Sequence, residues 1–185
     1  MRKVTVTSSA SANGKTTLGR ELARRLDVPF HELDGLVHGP NWAETPDEEL
    51  RAQVERVVAT EGWVIDGTYR GKLGTLTLDH AELIVWLDLP LRVWLPRLVR
   101  RTVRRVRTRE ELWNGNRETF LNTFWGWNGL ILFSLRSHFR RRRDWPDELR
   151  DYPVVRLRST ADVQRFLAQF TSGSAAPERP PQTDA

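Results

Sequence analysis

At 185 residues, 39% of them hydrophobic, the chain is long enough for one α/β domain with a core of its own. It has no cysteine, which excludes disulfides and thiolate metal sites, and no uninterrupted apolar run of the ~18–20 residues that a bilayer span needs. The net charge is +5 but uneven: Pro90 to Arg143 holds 14 arginines, no lysine and 3 glutamates, so that span carries +11 and the remainder −6. The chain opens without an apolar leader, which sets the expectation of a cytoplasmic protein.

Residues 3–8 read as a first strand. A loop of small residues follows and ends in Gly14-Lys15-Thr16-Thr17. A helix begins at once and runs from Lys15 to about Leu26, with Leu18, Leu22, Ala23 and Leu26 on one apolar stripe. Strand, loop and helix in this order are the context of a phosphate-binding P-loop. Backbone N–H groups of such a loop curl around a phosphate, helped by the free donors at the helix start. Ser9, Ala10, Ser11, Ala12, Asn13, Gly14, Lys15, Thr16 and Thr17 are therefore candidates to hold ATP. Lys15 would reach the β- and γ-phosphates, and the Thr16 hydroxyl would hold Mg²⁺. The first glycine of G-x-x-x-x-G-K-[ST] is replaced by Ser9.

Val28 to Asp34 reads as a short second strand ending in carboxylates. Glu32 and Asp34, two apart, would project to the same side, where Asp34 could take the proton of an attacking hydroxyl. His38 and Trp42 lie in the following loop and could line an acceptor pocket. Thr45-Pro46-Asp47-Glu48 has the form of a capping box, predicting a helix to about Thr60. Residues 62–67 form a third strand that Asp66 closes, placed to hold Mg²⁺ through water, although an Asp-Gly turn ends many strands. Arg70 follows, to grip a phosphate or carboxylate of the substrate. Residues 82–89 are a fourth strand, too apolar for one with a wet face. Residues 152–157 are a fifth, and Thr160 caps a final helix to about Phe170. The tail 172–185 is poor in apolar residues and reads as disordered. Residues 1–171 thus form one domain.

The span 90–145 breaks this alternation as an Arg- and Trp-rich helical insertion, with Pro96 kinking its first helix. Arg97, Arg100, Arg101, Arg104 and Arg105 share one helix face. Like charges so close repel unless an anion sits among them, and Arg97, Arg101 and Arg104 are the candidates to meet phosphate. Asn116 could cap a second lid helix carrying Phe120, Leu121, Phe124, Trp125 and Trp127. The Arg140–Arg143 run reads as a wet helix end.

Together the Ser9–Thr17 loop, His31-Glu32-Leu33-Asp34-Gly35-Leu36, Trp63-Val64-Ile65-Asp66-Gly67-Thr68-Tyr69-Arg70 and Val85-Trp86-Leu87-Asp88-Leu89-Pro90 resemble the adenylate kinase-like P-loop kinases. Within them the chain is most similar to the group labelled DNA topology modulation proteins. The resemblance implies a P-loop NTPase fold with a five-stranded parallel sheet in the order 2-3-1-4-5, flanked by helices, an ATP·Mg²⁺ donor site and a closing lid. Asp66 and Arg70 match the aspartate and arginine of the adenylate kinase Asp-Gly-Phe-Pro-Arg motif, with Thr68-Tyr69 in place of Phe-Pro. A second strand ending in Glu-x-Asp is more like shikimate or gluconate kinases, whose acceptors are hydroxyls of small metabolites. The expected activity is ATP-dependent transfer of phosphate to a small acceptor. The alternative is an ATP-binding module that docks its basic segment on nucleic acid, with attachment to a membrane surface through residues 120–143 as a third possibility.

Overall fold

The computed structural model describes residues 1–116 and 129–170. The expected second lid helix, with Phe120, Leu121, Phe124, Trp125 and Trp127, and the tail 172–185 lie outside the described residues. Among the described residues no helix is long and apolar enough to cross a membrane.

Strand β1 (Lys3–Ser8) is the middle of the sheet because both of its faces are apolar or small, so it can be covered from both sides. It pairs in parallel with β3 (Trp63–Asp66) on one side and β4 (Leu83–Leu87) on the other. The edges are β2 (Phe30–Glu32) beside β3 and β5 (Val154–Leu157) beside β4. The order β2-β3-β1-β4-β5 is the one implied by the resemblance. Val6 stands opposite both Asp66 and Val85, and Glu32 opposite Asp66. The register therefore gathers the carboxylates at the C-terminal edge, beside the crevice where the strand order reverses at β1.

Alternation along the strands sends Val4, Val6, Val64, Val85 and Leu87 to one face, where they pack on Leu18, Leu22 and Ala23 of α1 (Lys15–Leu26) and on Phe166 of α8 (Thr160–Ala168). On the other face Trp63 and Ile65 meet Leu33 and Val37 of α2 (Leu33–Val37) and Leu50, Val54 and Val58 of α3 (Asp47–Val58). Two short helices, α4 (Arg70–Leu73) and α5 (Leu76–Asp79), lead from β3 towards β4. Ile84 and Trp86 pack on Trp145 and Leu149 beneath α7 (Leu130–Glu148).

Local details differ from the sequence reading. Strand β2 stops at Glu32, and Asp34 lies in the first turn of α2, because Leu33 and Val37 share a helical rather than a strand face. The capping box at Thr45 does not form: Pro46 is the N-cap without a side-chain bond, and the Thr45 hydroxyl donates to the Leu36 carbonyl at 2.6 Å. The last helix is capped by Ser159 rather than Thr160, in a reciprocal box with Asp162.

After β4 the helix α6 (Leu91–Thr108) runs through Pro96 as one element. It packs by Trp94, Leu98 and Thr102, which are buried, against α7. His138 of α7 is buried there, its ring 5.4 Å from that of Trp94. Burial, then the charge of Arg142, lowers its pKa, against a smaller opposing pull from Asp88. A buried imidazole resists protonation that the unfolded chain accepts at about 6.5. Stability contributed by keeping it neutral is thus whole above that value and lost as pH falls towards the folded pKa. Thermal melts should show His138→Gln losing less Tm than the parent between pH 6.5 and 5. Parallel Tm curves for the two proteins would remove His138 from the acid limb.

Candidate phosphate and acceptor site

The loop between β1 and α1 is shaped by two left-handed residues, Ala12 at φ 58° and Gly14 at φ 97°. At Gly14 a side chain would be strained by the backbone whatever the space. Asn13, which is buried, pins the turn by donating from Nδ2 to the Ala10 carbonyl at 3.0 Å. Ala10, Ser11, Ala12, Asn13, Gly14, Lys15, Thr16 and Thr17 all line one open cleft of about 2120 Å³. That is more than a single ligand of ordinary size fills.

Ser9 does not line the cleft, which corrects its place among the phosphate-binding candidates. It is fully buried, its N–H donates to the Leu87 carbonyl, and its hydroxyl donates to Asp88 Oδ1 at 2.7 Å while accepting from Trp86 Nε1 at 2.8 Å. The serine in place of glycine thus points into the protein and fastens the loop to β4. Asp88 in turn accepts from Arg156 of β5 at 2.6 Å and lies 3.4 Å from Arg142 of α7. A buried carboxylate needs such partners. Nothing in the spacing of the sequence announced this network.

Lys15 Nζ lies 2.5 Å from Asp66 Oδ1, and the Thr16 hydroxyl donates to Asp66 Oδ2 at 2.6 Å. Asp66 is 1% exposed, and Glu32 Oε1 is 3.4 Å from the Thr16 hydroxyl. This is a set of hard oxygen donors beside an ammonium group, which suits Mg²⁺ held together with phosphate oxygens and water. Among the described residues no group of three or more His, Asp and Glu forms a protein-only metal cage, which a magnesium ion shared with a nucleotide does not require.

Helix α6 presents Arg97, Arg101, Arg104 and Arg105 to the cleft, but Arg100 lies outside its lining. Of the five arginines grouped by spacing, Arg100 stands farthest around the helix from the buried stripe Trp94, Leu98 and Thr102. Glu110 sits 3.1 Å from Arg104 and 3.4 Å from Arg105. The run Arg140–Arg143 is not simply a wet helix end, because it lies within α7 and Arg141 turns inward. Arg141 lines the cleft, donates to the Ser8 carbonyl at 2.6 Å and lies over the Trp145 ring at 5.0 Å. Burial, then neighbouring Arg140, pulls its guanidinium down to about 10, which leaves it charged at neutral pH. The i, i+4 spacing of Arg141 and Trp145 was the available clue.

The same cleft is lined by Glu32, Asp34, His38, Trp42, Tyr69 and Arg70. Tyr69 donates its phenol to Asp34 Oδ1 at 2.6 Å and lies 3.4 Å from His38 Nε2. Burial first, and then the charge of Asp34, raises the pKa of Tyr69, so the phenol remains protonated and donates to Asp34. Tyr69 replaces the proline of the related motif and was not singled out by sequence. Arg70 lines the cleft while its guanidinium is engaged by Glu148 of α7. Trp42 N–H donates to Asn116 Oδ1 at 2.8 Å, and Asn116 Nδ2 donates to the Gly39 carbonyl at 2.8 Å; the helix that Asn116 was expected to cap lies outside the described residues.

No family model matches the sequence. A curated shikimate kinase from Sulfurihydrogenibium sp. (strain YO3AOP1) is 31% identical over 103 residues, which are 46% of this chain and 60% of that protein. The chain thus spans about three fifths of the curated relative it matches. Among solved structures, shikimate kinase from Bacteroides thetaiotaomicron is similar with a TM-score of 0.54 at 18% identity, covering 89% of this chain and 96% of that one. Shikimate kinase from Acinetobacter baumannii, in complex with shikimate, is similar with a TM-score of 0.54 at 16% identity, covering 90% and 92%. The five-stranded parallel sheet, the β1–α1 loop and these likenesses make this a P-loop NTPase α/β fold of the kind found in shikimate kinases.

Proposed function

We propose that the protein is an ATP-dependent phosphotransferase, a P-loop kinase that moves the γ-phosphoryl group of ATP to a hydroxyl of a small acceptor. The observation that carries this reading is one cleft lined by Lys15 and Thr16 together with Asp34. The N–H groups of residues 10–17 bind the phosphates, and Lys15 leaves Asp66 to neutralise the β- and γ-oxygens. Thr16 and Asp66 hold Mg²⁺, which when bound screens phosphate charge. Arg97, Arg101 and Arg104 of α6, joined by Arg141, stabilise charge that develops on the transferred group. Asp34 accepts the hydroxyl proton as the acceptor oxygen bonds to the γ-phosphorus and the bond to the β,γ-bridging oxygen breaks, releasing ADP. Arg70, paired with Glu148, steadies the acceptor side. A reaction fed by ATP fits a cytoplasmic setting.

Acceptor-dependent ADP release with ATP·Mg²⁺ tests the reading. Asp34→Asn should lower kcat by about 10²–10⁴-fold, the range for loss of a general base, with ATP affinity by calorimetry unchanged. Full kcat in that variant would remove Asp34 from the chemistry.

The resemblance to the DNA topology modulation group motivated a nucleic-acid reading. It is not favoured, since Arg97, Arg101, Arg104, Arg105, Arg140 and Arg141 line the cleft, and Arg142 and Arg156 serve Asp88.

A further inference from the structure

The acceptor wall has a chemistry of its own. Tyr69, His38, Trp42 and Trp113 all line the cleft. The His38 ring centroid lies 5.4 Å from that of Trp42, 6.5 Å from Tyr69 and 6.3 Å from Trp113, so the four rings form a continuous aromatic wall. Trp42 remains 37% exposed. Trp113 reaches this wall from the segment after α6, and it is held there. Asn114 donates to the His38 carbonyl at 2.6 Å, and Asn116 bonds Gly39 and Trp42. A Cβ on Gly35 would come within 3.0 Å of the Trp113 ring, so only glycine leaves the indole its place without a shift.

The charges beside this wall are arranged against an acid. Glu32 and Asp34 line the same cleft, Asp34 accepts from Tyr69 of that wall, and among the described residues no cation pairs with Asp34. The cations that follow Tyr69 in the chain have carboxylate partners: Arg70 has Glu148, and Lys72 has Glu44 at 3.0 Å and Asp47 at 2.7 Å. Farther along, Glu110 takes Arg104 and Arg105. The negative field is felt by Tyr69, whose phenol is pushed up by burial and then by Asp34, Glu44 and Asp66. A carboxylate or phosphate on the acceptor would enter this field without a bidentate partner to offset its desolvation. A sugar or nucleoside ring can instead lay its apolar face on indole and phenol, with its hydroxyls donating to the carboxylates.

We propose that the acceptor is a hydroxylated ring compound without an acid group, of the sugar or nucleoside type, laid against Trp42 and Trp113 with its reacting hydroxyl towards Asp34. This rests on the phosphotransferase reading above, and the bond changes are those given there.

Matched pairs test it: galactose against galacturonate, adenosine against AMP and uridine against UMP, with shikimate and gluconate as further acids. Each is offered with ATP·Mg²⁺ and followed by ADP release, while calorimetry records ATP binding separately. At least one uncharged compound should be phosphorylated with kcat/KM tenfold or more above its acid partner. Trp113→Ala, and independently the more exposed Trp42→Ala, should raise its KM at least tenfold, with melting curves showing that each variant folds. Preference for any acid, equal use of both members of a pair, or no transfer to any uncharged compound overturns the proposal. Turnover of an acid alone would leave the phosphotransferase reading standing, whereas absence of ATP binding would sink both.

Discussion

Replacing Lys15 with alanine is expected to reduce ATP-dependent phosphotransfer by about 10²–10³-fold, the loss seen when one preorganised donor to transition-state charge is removed. The same change acts on the protein without nucleotide. Lys15 Nζ lies 2.5 Å from Asp66, which is 1% exposed, so the variant leaves a buried carboxylate with the Thr16 hydroxyl as its chief partner. An unsatisfied buried group costs about 1–3 kcal/mol, less here because Lys15 itself is 23% exposed and partly hydrated. Lys15→Arg should not rescue turnover, since a planar guanidinium does not replace a compact ammonium in a tight loop. Initial rates of ADP release and a denaturant titration read the two effects separately. A folded Lys15→Ala protein with undiminished transfer would show that this loop is not the donor site.

The second large effect is on stability. Asp88→Ala removes the one carboxylate shared by Ser9, Arg156 and Arg142, and Asp88 is 1% exposed. Truncating one partner of a buried ionic network costs about 3–5 kcal/mol, because the remaining charges lose their compensation. The lower end applies here, since the Arg142 side chain is 41% exposed and can be hydrated. In urea the midpoint should fall with the slope unchanged, the mark of lost stability rather than altered unfolding. Arg142→Ala should cost less than about 1 kcal/mol, as exposed partners do. Equal losses for the two variants would mean that Asp88 is not the centre of the network. Because Ser9 begins the loop, Asp88→Ala should also weaken ATP binding.

Much of the architecture could be read without coordinates. The alternation of strand and helix patterns, the apolar stripe of Leu18, Leu22 and Ala23, and the all-apolar Leu83–Leu87 strand are local signals, and each became the element expected of it. Caps were less legible. Thr45 and Ser159 differ in what lies near them in space: Thr45 has the Leu36 carbonyl within reach and takes it, whereas Ser159 has its own helix. Arg100 and Arg141 show the same limit. Helical spacing grouped Arg100 with the cleft arginines and left Arg141 at a supposed wet end, yet the packing of Trp94, Leu98 and Thr102 turns the former away, while α7 carries the latter to Ser8.

What the sequence determined by itself was the loop proposed as the donor half of the cleft. Residues 10–17 are contiguous, and the turn at Ala12 and Gly14 that opens α1 is encoded locally. The acceptor half was decided only by the tertiary structure. Asp34 with His38, Tyr69 and Trp113 come from three separate segments, and their meeting depends on sheet register, on Asn114 and Asn116 holding the loop at 38–42, and on the room left by Gly35. Ser9 belongs to the same class, since a serine at a glycine position is read as a defect until Asp88 and Trp86, 79 and 77 residues away, are seen beside it. Periodicity reports on neighbours within a turn or a strand, whereas a pocket assembled across a sheet depends on contacts that no local pattern contains.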